Sequence, residues 1–126
     1  MQDGLYRSTR DIPNKDGLPV ALYLEISGNN GSLILMEQAG AACRASLSIE
    51  DQGGPLQLIQ NEPARCTGTA SSYEPYSFAC TPLNQTSASC SVSPLSGARA
   101  PFTLTMEQTD AIAPADPSSN YLNPVE

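Results

Sequence analysis

The chain has 126 residues, enough to bury one hydrophobic core and too few for two. Six basic residues stand against thirteen acidic ones, a net charge of −7, so there is no basic stripe to track nucleic acid or an anionic membrane surface. Only 15% of residues are charged and none is histidine, which excludes Ser-His-Asp and Cys-His catalysis and removes the commonest metal ligand.

The first residues, Met1-Gln2-Asp3-Gly4, lack a basic start and an apolar segment. Export would therefore need a leader removed upstream of them, which could also have carried a lipid anchor. A first strand is expected over residues 5–10. Asp11, Asn14 and Asp16 outline a calcium loop, but Pro13 interrupts it and no Glu follows at the required distance. The single lysine, Lys15, lies in the turn-like Pro13-Asn14-Lys15-Asp16-Gly17, where it is solvated and unsuited to Schiff-base chemistry.

The longest apolar run is Val20-Ala21-Leu22-Tyr23-Leu24, far short of the ~20 residues a membrane helix needs. Strands over residues 20–26 and 33–37 are divided by Ser27-Gly28-Asn29-Asn30-Gly31-Ser32, the clearest hairpin signal in the chain. Alternation then sets Cys43, Ala45, Leu47 and Ile49 on one face, with Arg44, Ser46, Ser48 and Glu50 on the other. Glu50 and Asp51 are adjacent carboxylates, but neighbouring strand residues face opposite ways, which disfavours a catalytic dyad. A turn at Asp51-Gln52-Gly53-Gly54-Pro55 leads to a strand over residues 56–60 and a short one over 64–68.

Tyr76, Phe78 and Cys80 alternate with polar or small residues, as do Ala88, Cys90 and Val92, across a turn at Pro82-Leu83-Asn84-Gln85. If that hairpin turns around Gln85, Cys80 faces Cys90 on the apolar side. Cys43 and Cys66 are equidistant from the Gly54-Pro55 turn and can face each other in the same way. Two structural disulfides, Cys43–Cys66 and Cys80–Cys90, are expected. Zinc sites and thioredoxin-like pairs use close C-x₂-C spacing, which is absent. Disulfides imply an oxidising compartment, a bacterial periplasm or the cell exterior. Phe102, Leu104 and Met106 form the inward face of a last strand.

No apolar spacing of 3–4 is sustained over ten residues, so no helix is expected. The fold class is all-β: a small, disulfide-stapled, antiparallel up-and-down barrel of about eight strands, with a two-sheet β-sandwich as the alternative. One domain spans residues 1–108. Residues 109–126, rich in Pro, Ala and Asp, read as an extended or disordered tail that packs little.

The segment Ser96-Gly97-Ala98-Arg99, between the last two strands, resembles the S-G-x-x-Y loop of the membrane-bound, C-type-specific family of periplasmic lysozyme inhibitors. Ala100 stands at the family's tyrosine position. Members of that family are small disulfide-bearing β-barrels of bacterial envelopes. Their loop serine and a nearby basic residue enter the lysozyme cleft and engage its catalytic carboxylates. The resemblance implies partner-binding roles for Ser96, Gly97 and Arg99. With no catalytic constellation among its residues, the chain reads as a non-catalytic inhibitor without a cofactor, periplasmic or anchored to the outer membrane, or more broadly as an immunity protein neutralising a delivered toxin. Its partner would be a protein, a basic hydrolase or toxin, which the acidic body suits. The other readings are an envelope-assembly or secretion-system accessory lipoprotein of pilotin type and a small-ligand carrier.

Overall fold

The computed structural model describes residues 2–13, 19–37, 41–51, 54–67, 72–73, 75–95 and 100–112. Among them every regular element is a strand, and no helix is long and apolar enough to cross a membrane. The strands are β1 (Gly4–Ser8), β2 (Ile12–Pro13), β3 (Pro19–Ser27), β4 (Asn30–Glu37), β5 (Ala42–Glu50) and β6 (Leu56–Gln60). They continue with β7 (Ala64–Cys66), β8 (Ser72–Tyr73), β9 (Tyr76–Pro82), β10 (Ser87–Pro94) and β11 (Phe102–Gln108). All pairings are antiparallel.

The ring β1-β3-β4-β5-β6-β9-β10-β11 closes where β11 returns to β1, with Tyr6 opposite Gln108 and Ser8 opposite Met106. The result is an eight-stranded antiparallel barrel. Closure leaves no long open edge for another chain to extend. The short strands continue ring strands across interruptions. β2 prolongs β1 along β3, β7 prolongs β6 along β5, and β8 precedes β9 and pairs with β7. In this sense the chain is a simple meander, as its short connections require.

Two of the interruptions have the same geometry. Between the pairs Arg7↔Tyr23 and Ile12↔Val20, the stretch 8–11 bulges against Ala21 and Leu22. Between Leu47↔Gln60 and Arg44↔Arg65, the stretch 61–64 bulges against Ala45 and Ser46. Each bulge adds an even number of residues, so the strand resumes with the same side inward: Ile12 and Ala64 return to the core. A bulge leaves ladder groups unpaired, and the buried polar side chains collect there. Ser8 accepts the Arg10 N–H at 3.2 Å and donates to its carbonyl at 2.6 Å. Gln60, 2% exposed, donates to the Glu62 carbonyl at 2.7 Å and accepts the Tyr76 N–H at 3.0 Å. Gln60→Ala would leave the Tyr76 N–H, at the start of β9, without its acceptor. It is expected to lower stability by about 1–3 kcal/mol in urea unfolding, and a loss below about 0.5 kcal/mol would refute this role.

The β3–β4 turn is Gly28-Asn29, between the paired residues Ser27 and Asn30. Gly28 has φ 62°, and no non-glycine among the described residues has positive φ. Glycine at the first central position is what a type II′ turn requires. The Asp3 carboxylate accepts the Gly28 N–H at 3.0 Å and ties the chain start to this turn.

The interior is filled by the inward rows. Tyr6, Leu22, Leu33, Leu58, Phe78 and Met106 are among the largest fully buried side chains. Both disulfides lie in this core and join directly opposed residues: Cys43–Cys66 across β5 and β7, and Cys80–Cys90 across β9 and β10. No described cysteine is free. Disulfides of this kind fit a chain that folds outside the reducing cytosol. Tyr6 is buried with its hydroxyl on the Gln2 carbonyl at 2.7 Å. Burial, with the Asp3 charge adding to it, raises its pKa above the usual tyrosine value.

A second apolar cluster sits on the outside of the barrel. Even-numbered residues of β3 face the interior, whereas Ala21 and Tyr23 join Ile34 of β4 on the outer wall, each 0% exposed. Leu5, Met36 and Ile112 pack around them. The Arg7 guanidinium lies over the Tyr23 ring, 5.5 Å from its centroid, and reaches Asp11 at 3.4 Å. The chain after β11 therefore returns to the barrel wall at Thr109, whose N–H donates to the Leu5 carbonyl, and at Ile112.

Candidate partner-binding end of the barrel

Strand direction sorts the connections between two ends. β3–β4, β5–β6 and β9–β10 turn at one end, the turn end. β2–β3, β4–β5, β7–β8 and β10–β11 cross at the other, the loop end. The residues expected to bind a partner, Ser96, Gly97 and Arg99, belong to the β10–β11 connection and lie outside the described residues. Its footings are described. Leu95 follows β10 and is 53% exposed, with its N–H donating to the Pro75 carbonyl at 3.0 Å. Ala100 and Pro101 are exposed. Phe102 opens β11, and its ring meets Tyr76 edge-on at 6.3 Å between centroids. A connection held at both footings in this way can present its middle to a partner.

Charge is divided between the two ends. Asp3, Glu25, Glu50, Asp51, Glu107 and Asp110 all lie at or near the turn end and are exposed. Three of the four described basic residues fall toward the loop end, Arg10 in the bulge, Arg44 near the start of β5 and Arg65 in β7, and the fourth, Arg7, stands opposite Glu107. Of the three described carboxylates away from the turn end, Glu62 is exposed in the bulge at residues 61–64 and the other two are engaged. Asp11 is 2% exposed and bonded to Arg7, and Glu37 accepts the Tyr73 hydroxyl.

One group at the loop end has metal-like composition. The donor atoms of Glu37, Cys43 and Cys66 lie within 4.8 Å of one another. The two sulfurs are bonded to each other, so neither offers a thiolate, and zinc or another thiophilic ion would have to compete with that bond. Asp11, an element of the interrupted calcium pattern, is buried against Arg7, and Asn14, Lys15 and Asp16 lie outside the described residues. Glu50 and Asp51 are both exposed at the turn end.

Two features of the outer wall were not anticipated from sequence. One is the Ala21–Tyr23–Ile34 cluster. Its signal is that β3 and β4 are apolar at both parities, in Val20-Ala21-Leu22-Tyr23-Leu24 and Leu33-Ile34-Leu35-Met36, as strands covered on two sides are. The other is the direct opposition of Arg44 and Arg65, which lies one residue along the same register as the Cys43–Cys66 pair and is fixed by the bulge at residues 61–64. Compared with models of protein families, with curated proteins and with solved structures, the chain matches none.

Proposed function

We propose that the chain is a non-catalytic, exported binding protein, periplasmic or tethered to the outer membrane. Its task is to inhibit or neutralise an envelope-acting enzyme such as a peptidoglycan hydrolase. The observation that carries this reading is an eight-stranded barrel whose interior is filled by its own side chains and two disulfides. Barrels of this size are just wide enough for their side chains, so recognition falls to loops and outer surfaces. Ser96, Gly97 and Arg99, on the connection framed by Leu95 and Phe102, form the binding element. The guanidinium of Arg99 would pair with a carboxylate in the partner's cleft. The carboxylates gathered at the turn end would speed encounter with a basic enzyme through the long-range field.

The test is inhibition of a panel of muramidases and other peptidoglycan hydrolases by the purified chain. Inhibition of at least one is expected, with Arg99→Ala weakening it about 10- to 100-fold, the range for loss of a central arginine contact. No inhibition of any member, or an unchanged inhibition constant for Arg99→Ala, would overturn the proposal.

A further inference from the structure

The outer wall carries a row of directly opposed residues: Glu107 on β11, Arg7 on β1, Tyr23 on β3, Ile34 on β4, Arg44 on β5, Arg65 on β7 and Ser72 on β8. Its arginines are treated very differently. Arg7 has a carboxylate opposite it, a second carboxylate at 3.4 Å and an aromatic ring beneath it. Arg44 and Arg65 have each other. Their remaining partners in the row, Ile34 and Ser72, are uncharged, and among the described residues neither arginine forms an ion pair. Both are exposed. The disulfide one step along, between the inward-facing Cys43 and Cys66, locks the two strands in this register.

Like charges directly opposed on a sheet are destabilising. The chain has thirteen acidic residues, and none of the described ones forms an ion pair with either arginine, although Glu62 is exposed in the bulge three residues before Arg65. An oxyanion placed between two guanidinia would remove the repulsion and take up their fork of N–H donors. Beside the pair, the outer wall of β5 is hydrogen-bonding: Ser48 donates to the Asn61 carbonyl oxygen at 3.0 Å, and Asn61 donates to Ser46 at 3.4 Å. The chain as a whole is acidic, which repels a long polyanion such as nucleic acid but tolerates a short acidic segment held by a local cationic pair.

We infer that Arg44 and Arg65 form a docking site for an acidic segment of a protein partner, one of whose side-chain carboxylates lies between the two guanidinia. The site is separate from the β10–β11 connection and does not rest on it.

The experiment is an amide NMR titration of the isotope-labelled full chain at low salt with hexaglutamate, with hexaglutamine and with sodium sulfate as separate arms. Hexaglutamate is expected to give saturable shifts at residues 43–46 and 64–67 that fade as salt rises. Its affinity should fall at least tenfold in Arg44→Gln/Arg65→Gln and stay unchanged in Arg99→Gln. Without ligand, Arg65→Gln should raise Tm by about 1–3 °C, because it removes the repulsion. Four results would overturn the inference. They are no localised shifts with hexaglutamate, shifts that survive the double substitution, sulfate binding without hexaglutamate binding, and a fall in Tm for Arg65→Gln. Failure of Arg99→Ala to alter enzyme inhibition would leave these readouts untouched, so the two proposals fail separately.

Discussion

Replacing Cys80 and Cys90 together by alanine will destabilise the chain by about 2.7 kcal/mol, and replacing Cys43 and Cys66 will do so by about 3.4 kcal/mol. These figures follow from the loop-closure entropy returned to the unfolded chain for separations of 10 and 23 residues. The longer loop gives the larger loss. Both bridges are buried in the core, so lost packing adds to the entropic part. One bridge ties β5 to β7 near the loop end, and the other ties β9 to β10 closer to the turn end. They share no strand, and their effects should add to within about 0.5 kcal/mol. The sum of about 6 kcal/mol matches the whole stability of many small domains. The chain without any cysteine is therefore expected to be largely unfolded at 37 °C. Urea midpoints of the two double variants and the fourfold variant measure this. A loss below about 1 kcal/mol for either bridge would mean that closure and core packing suffice without it.

Tyr23→Ala is expected to cost about 3–5 kcal/mol, as much as truncating an aromatic inside a core, although Tyr23 points away from the barrel interior. It is wholly buried between Arg7 and Ile34 in the cross-strand row, with Ala21 and Ile34 in the same cluster. Ser46→Ala on the outer wall of β5 is the contrast: its residue is exposed and the change should stay within about 0.5 kcal/mol. Thermal or urea unfolding of the two variants side by side decides the point. Equal, small effects would show that the outer cluster contributes nothing beyond covering the wall. Ile112 belongs to this cluster, so the chain beyond β11 contributes to stability at least as far as that residue.

Much of this fold was legible in the chain. Period-2 alternation in residues 43–50, 76–80, 88–92 and 102–107 identified the inward faces, because a strand with one wet side must alternate. Cys80 and Cys90 fall at equal distances from a turn, so their pairing followed from counting. The pairing of Cys43 with Cys66 also came from counting around Gly54-Pro55, yet the route between them is less direct: the register shifts by two residues at the bulge after Gln60. Continued without the bulge, the β5–β6 ladder would set Cys43 against Ala64; the two-residue shift brings Cys66 opposite it, and because the shift is even the side facing inward is unchanged. The short strands β2 and β8 were not read from sequence, since two-residue strands have no periodicity to detect.

The sequence by itself determined an all-β, disulfide-stapled chain with no histidine chemistry and a predominantly acidic surface, because composition and alternation are local properties. Only the tertiary structure decided three things. It closed β11 on β1, it buried Tyr23 and Ile34 on the outside of the wall, and it gathered most of the exposed carboxylates at the turn end, away from Arg44 and Arg65. Each depends on which residues lie opposite one another across strands distant in the chain. That register is set by closure of the whole ring and by two bulges, and no single segment encodes it.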